Sequence, residues 1–132
     1  MIAHGVDITE VARIAGMIER HGDQFLERVF TGRERAYAAE SRRRDEHFAA
    51  RFAAKEATLK ALGTGWRSGI SWTDVEVVSL PSGQPTLHLH ARAAEIAREQ
   101  GIGAWSISLS HTENYAVASV IGIRGDSPAE AK

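Results

Sequence analysis

The segment Glu46–Leu62 constrains this chain more than any other stretch. Its alanines, set between Phe48, Phe52, Leu59 and Leu62, favour a long helix, and Gly63 stops it. At about 100° per residue the four large apolar side chains form one stripe, with Glu56 and Lys60 together at its margin, flanked by Ala49 and Ala53. A carboxylate and an ammonium therefore sit beside the core face, among residues small enough to let something approach closely.

The rest of the chain is read around that helix. Ile2, Val6 and Ile8 alternate with Ala3, Gly5 and Asp7, which predicts a strand over residues 1–8 with Asp7 opposite the apolar side chains. Thr9 to His21 is predicted as a helix, capped by Thr9 and ended by Gly22. A second helix covers Asp23 to Val29. Thr31-Gly32-Arg33-Glu34 has the capping-box pattern and opens a third helix running to about Ala39. Ser41 to Asp45 is a polar loop. Two strands, Asp74 to Leu80 and Thr86 to His90, flank the turn Pro81–Pro85. A helix from Ala91 to Gln100 follows, stopped by Gly101. Trp105–Ser110 and Tyr115–Ile123 are strands joined by His111–Asn114. The expected architecture is α+β, with helices gathered in the first half packed on an antiparallel sheet. It forms one domain over residues 1–123, and residues 124–132 are a small polar tail expected to be disordered.

Composition narrows the function classes. A formal net charge of -1 over 132 residues gives no global field for nucleic acid or a membrane surface. There is no cysteine, which excludes disulfides, thiolate catalysis and zinc-thiolate sites. No apolar run approaches the roughly 20 residues of a membrane span. The N-terminus has neither basic leader nor apolar signal core, so a cytoplasmic location is expected.

On spacing alone Glu56 and Lys60 are an ordinary i,i+4 helix pair, worth about 0.3–0.5 kcal/mol. Asp7 alone reads equally as a cap for the next helix. Brought together, Asp7 and Glu56 would suit Mg²⁺, which takes one or two protein carboxylates and fills its shell with water and phosphate oxygens. Ser110-His111 is not a hydrolase dyad, because neighbours on a strand face opposite ways. His88 and His90 share a strand face and can bind zinc, but no third ligand is evident nearby.

Three motifs then carry a resemblance. Gly5-Val6-Asp7-Ile8-Thr9-Glu10-Val11, Phe52-Ala53-Ala54-Lys55-Glu56-Ala57-Thr58-Leu59-Lys60-Ala61-Leu62-Gly63, and Ser108-Leu109-Ser110-His111-Thr112 with Tyr115-Ala116 resemble the motifs of the holo-acyl-carrier-protein synthase family, in order and spacing. The central motif is long and specific; the likeness runs from Met1 to about Ile121. His4 departs from it, standing where that family often has a small or apolar residue, and Trp66-Arg67-Ser68-Gly69 is a variable stretch.

The resemblance implies the 4'-phosphopantetheinyl transferase fold. It also implies transfer of 4'-phosphopantetheine from coenzyme A to a serine of apo acyl carrier protein, in fatty-acid or polyketide biosynthesis, with 3',5'-ADP leaving. By the same likeness Asp7 and Glu56 match magnesium ligands, and Lys60 matches the lysine near the transferring phosphate. Arg51, Ser110, His111 and Thr112 match positions at the adenosine end of coenzyme A, including its 3'-phosphate. Gly63, Gly65 and Pro85 match the walls of the nucleotide pocket. Glu56, or a water on the ion, is the implied proton acceptor. Homotrimers with the active site between subunits are also implied.

On the first helix Arg13, Met17 and Arg20 share one ridge, followed by Phe25 and Arg28. Basic side chains around a methionine suit an acidic amphipathic helix, and in the resembling family this surface docks the carrier. A solvated basic face fits the pattern equally well, and Arg42–Arg44 form a second basic patch. A catalytically idle binding module is the competing reading. Retention of Asp7, Glu56 and Lys60 together argues against it. A metal-dependent hydrolase lacks a nucleophile or closed ligand set in this sequence.

Overall fold

The structure, a computed structural model, describes residues 2–125. In chain order the elements are β1 (Ala3–Glu10), α1 (Val11–His21), α2 (Asp23–Val29), α3 (Gly32–Ala39), α4 (Arg44–Leu62), a 3-10 turn (Trp72–Asp74), β2 (Val75–Ser79), β3 (Pro85–Leu89), α5 (Ala91–Glu99), β4 (Ile102–His111) and β5 (Tyr115–Arg124). This is the α+β arrangement the sequence predicts, with the first strand joining the late ones. An antiparallel sheet has the order β1-β5-β4, and β2-β3 form a separate antiparallel pair.

The central helix α4 is not a surface helix with one apolar stripe. Ala49, Ala50, Ala53, Ala54 and Ala57 are buried along with Phe48, Phe52, Leu59 and Leu62, and Arg51, Lys55 and Thr58 are buried too. A helix covered on nearly all sides needs small residues so that its neighbours can come close. The approach of β1 shows why. A Cβ at Gly5 would lie 1.9 Å from the Ala57 carbonyl oxygen, so only glycine lets the strand lie against the helix there.

Close packing on that side turns the other face of β1 outward. Gly5 and Thr9 are buried against α4 and Asp7 is half-buried, while Val6 and Ile8 are 52% and 64% exposed. On β5 Tyr115 and Ile123 share that outer face, and β4 presents Ser106, Ser108 and Ser110 beside them. One face of the sheet covers α4; the other is an apolar surface edged by serines.

Two sequence expectations are corrected here. Thr9 does not cap α1. It is the penultimate residue of β1, and Glu10 occupies the N-cap without a side-chain bond. Arg124 ends β5 instead of opening a tail, and Gly125 N–H donates to the Gly101 carbonyl at 2.9 Å. Residues 126–132, where the rest of the expected tail falls, lie outside the described residues.

The capping box at Thr31 forms as the sequence predicts, and its glutamate does more than cap. Glu34 Oε1 accepts from Thr31 N–H, Oε2 accepts from Val77 N–H, and Lys55 Nζ lies 2.9 Å from Oε1. Both side chains are fully buried. Lys55 also donates to the carbonyls of Trp72 and Val75, so all three ammonium protons are placed. Burial pushes the Lys55 ammonium down, and the Glu34 charge opposes that. This ion pair ties α3, α4 and β2 together. Nearby, burial alone would raise the Glu76 carboxyl, but bonds from Arg33, Thr31 and His90 hold it at about 2.

Candidate active site

Asp7 stands on the inner face of β1, brought to α4 by the glycine two residues before it. Lys60, on the last turn of α4, donates to Asp7 Oδ1 at 3.0 Å and to the Val6 carbonyl at 3.1 Å. Thr9 Oγ1 donates to the other Asp7 oxygen, Oδ2, at 2.8 Å. Glu56 lies one turn before Lys60 on the same side of α4. Burial pushes its carboxyl up from 4.5; the Asp7 charge adds to the shift, while the Trp66 indole, Arg13 and Lys60 oppose it. Trp66 Nε1 is buried and makes no hydrogen bond of good geometry, so its effect on Glu56 is that of a nearby dipole. Asp7 and Arg13 from the first segment thus share one patch with Glu56 and Lys60 from α4.

That patch fits a hard divalent cation. The Asp7 charge raises the cost of ionising Glu56, which a cation between them would relieve. Among the described residues no group of three or more His, Asp or Glu is placed to hold a metal ion by itself. A cation here would find two protein carboxylates and would take its remaining ligands from water and phosphate oxygens, as Mg²⁺ commonly does. His88 and His90 are engaged elsewhere: His88 pairs with Thr86 at 3.2 Å and His90 with Glu76 at 2.9 Å.

A second patch lies on another side of α4. Arg51 and Glu56 are roughly 140° apart around the helix, so they face different neighbours. Arg51, Pro85 and His111 line a cavity of about 160 Å³ with Tyr37, His47, Ser79 and Gly83. Arg51 is 2% exposed. Its guanidinium donates to Ser79 Oγ at 3.0 Å and lies 4.3 Å over the Tyr37 ring, and its Nε has no partner. Burial pushes its pKa down, against the opposing effect of Glu34. A buried guanidinium with no bonded carboxylate is poised for an anion. His111 Nδ1 meets Glu46 at 2.7 Å, which fixes the ring.

The remaining predicted residues divide. Gly63 and Gly65, both at positive φ, form the turn after α4, roughly 18 Å of helix rise beyond Arg51. They do not line the Arg51 cavity. Ser110 is exposed on the outer face of β4, while His111 turns inward to Glu46. Thr112 is spent on the hairpin turn, its hydroxyl accepting from the backbone N–H groups of Asn114 and Tyr115. Arg13, Met17 and Phe25 line a groove of about 260 Å³ with Arg28, Phe52 and Trp72. Arg20 is exposed at its edge and donates to Met17 Sδ at 3.4 Å. Sequence reasoning missed Thr9, whose hydroxyl supports Asp7, and Lys55, whose motif position gave no sign of complete burial.

A central helix is thus wrapped by two antiparallel sheets, with Asp7 of β1 set beside Glu56 and Lys60 of α4. The chain belongs to the 4'-phosphopantetheinyl transferase superfamily, whose model matches residues 3–120. Within it, the chain is 50% identical over 121 residues to the holo-(acyl-carrier-protein) synthase of Koribacter versatilis, covering 92% of this chain and 97% of that protein. The crystal structure of the enzyme of that name from Neisseria meningitidis superposes with a TM-score of 0.83 at 32% identity, over 94% of this chain and 100% of that one. The Helicobacter pylori enzyme in complex with coenzyme A superposes with a TM-score of 0.80 at 30% identity, over 91% and 99% of the two chains.

Proposed function

We propose that this chain is a holo-acyl-carrier-protein synthase: it transfers 4'-phosphopantetheine from coenzyme A to a serine of apo acyl carrier protein and releases 3',5'-ADP. The observation that carries the reading is the convergence of Asp7, Glu56 and Lys60 on one patch of a family member. Asp7 and Glu56 would hold Mg²⁺, which when bound neutralises the diphosphate and makes its phosphorus more electrophilic. Lys60 places a mobile positive charge where negative charge develops on the departing 3',5'-ADP. In the transfer, the serine oxygen bonds to the phosphorus bearing pantetheine as the bond to the ADP oxygen breaks. Glu56 is the side chain assigned to accept the serine proton. Positioning and charge supply most of the rate at such a centre.

Arg51, Pro85 and His111 receive the adenosine end with its 3'-phosphate, Ser110 and Thr112 border it, and Gly63 and Gly65 shape the nucleotide wall. These positions lie on different sides of α4, so one chain does not gather them. A homotrimer answers this, with Asp7, Glu56 and Lys60 from one subunit and the Arg51 cavity from the next. The outward apolar face with Val6 and Ile8 supports that assembly, since exposed apolar patches commonly mark interfaces. Arg13, Met17, Arg20 and Phe25 present a basic rim around an apolar groove, suited to an acidic helix of the carrier. The reading places the enzyme in the cytoplasm, serving fatty-acid or polyketide synthesis without nucleic acid or membrane. Among the described residues no helix is long and apolar enough to cross a membrane.

The test is incubation with coenzyme A, Mg²⁺ and apo carrier proteins, followed by mass spectrometry of the carrier. A phosphopantetheine mass gain that needs all three is expected. Coenzyme A binding with no gain on several carriers would leave a binding module.

A further inference from the structure

His47 is a polar group that the account above does not use. It is half-buried on α4 and lines the Arg51 cavity. Its ring stands edge-on to Tyr37 with centroids 5.5 Å apart, and 5.5 Å from the ring of His111. His111 is bonded to Glu46, whereas His47 makes no side-chain hydrogen bond among the described residues. The cavity thus has a buried guanidinium, a second imidazole already oriented by a carboxylate, and His47, a third nitrogen-bearing group with its hydrogen-bonding capacity unspent.

We propose that His47 is a further ligand of the substrate's phosphate, and that it takes up a proton from solvent as a phosphate monoester dianion enters this cavity. The inference rests on the reading of the cavity as the seat of the coenzyme's 3'-phosphate. The groups that face His47 are Tyr37 from α3, Arg43, Glu46 and Arg51 from α4 and its N-cap, and His111 from β4. Burial holds the His47 imidazole below its ordinary range, with Arg51 and His111 adding to the effect, Glu46 opposing it and Arg43 adding to it again. Burial and the charges of Arg51 and Arg43 thus outweigh Glu46 and disfavour the charged form of His47 in the free protein. A dianion among the same groups reverses the balance, because it supplies the missing counter-charge and an acceptor for the new N–H. Binding and protonation are then linked: each strengthens the other.

The experiment is calorimetry of 3',5'-ADP binding to the full chain with Mg²⁺, in buffers of different ionisation enthalpy, which counts protons taken up. The wild-type chain should take up a fraction of a proton near pH 7.5. His47→Phe keeps the ring packing and His47→Gln keeps a donor without a charge; both should take up almost none. Both should bind about tenfold more weakly near pH 6.5, as for loss of one charge-assisted hydrogen bond, and approach wild type near pH 8.5. Adenosine 5'-phosphate, which lacks the 3'-group, should show no such uptake. Unchanged uptake in both His47 variants, or its loss only in His111→Gln, overturns the proposal while leaving the cavity reading intact. Failure of Arg51→Ala to weaken 3',5'-ADP binding would remove the cavity reading, and this proposal with it.

Discussion

Lys60 Nζ lies 3.0 Å from Asp7 Oδ1, joining a strand to a helix across 53 residues of sequence. The contact holds the carboxylate on one oxygen while Thr9 holds it on the other at 2.8 Å. Asp7 is therefore oriented from both sides before any ligand arrives. Lys60→Ala should lower kcat about a hundredfold, the usual order for losing one charge aimed at a developing anion. Thr9→Val should act differently. It should raise the Mg²⁺ concentration for half-maximal activity about tenfold, as loss of an outer partner of a metal ligand typically does, with kcat largely recovered at saturating metal. Titration of activity against Mg²⁺ separates the two.

Glu56 gives the pH dependence. Its carboxyl is raised above 4.5, so it binds a proton more readily in the folded chain than in the unfolded one. The sign follows: this group's contribution to stability falls as pH rises through the ordinary carboxylate range and beyond. Glu56→Gln should thus gain thermal stability relative to wild type as pH rises above the ordinary carboxylate range, while losing turnover. A proton and a metal ion compete for the same carboxylate. The acid limb of activity should move to lower pH as Mg²⁺ is raised, which a pH–rate series at two metal concentrations checks.

The buried Glu34–Lys55 pair makes a stability prediction. Removing either partner leaves a charge at zero exposure with no counter-ion. Glu34→Leu and Lys55→Met should each cost about 3–5 kcal/mol in urea unfolding. The double variant should be less destabilised than the sum of the two, since neither charge is then left alone.

Two arginines at the groove of Met17 and Phe25 should separate. Arg13 lies 5.5 Å over the Phe52 ring and its charge is felt by Glu56, so Arg13→Glu should disturb the carrier and coenzyme steps together. Arg20, at the groove's edge, donates to Met17 Sδ and lies along Gly16. Arg20→Glu should raise the carrier KM several-fold by placing an acid against an acidic partner, and leave the coenzyme A KM unchanged. Equal rises in both constants for Arg20→Glu would remove the groove from carrier docking.

Much of this was legible in the chain. α2 and the capping box at Thr31 stand where the sequence puts them, because caps and glycine stops are local chemistry. What was not legible depends on partners far away. A threonine before a helix looks the same whether it caps or, like Thr9, bonds a carboxylate from within a strand. Alternation in β1 separates Asp7 from Val6 and Ile8 but does not say which set is covered; the packing of Gly5 on Ala57 decides that. Nothing in the sequence marks Lys55 and Arg51 as buried. They are buried because Glu34, the Trp72 and Val75 carbonyls, and the Tyr37 ring meet them from other elements. Of the site, the Asp7–Glu56–Lys60 convergence came through resemblance, and His47 gave no signal at all.

The central claim is that Asp7, Glu56 and Lys60 of one subunit act with Arg51 and His111 of another. Asp7→Ala and Arg51→Ala chains, each inactive alone, should be mixed one to one, unfolded and refolded together, and assayed by the carrier's mass gain. Random mixing around a head-to-tail ring makes about a quarter of the interfaces intact on both sides, so activity should return to about a quarter of wild type. A refolded mixture no more active than its separate components, with trimers formed, would contradict the account.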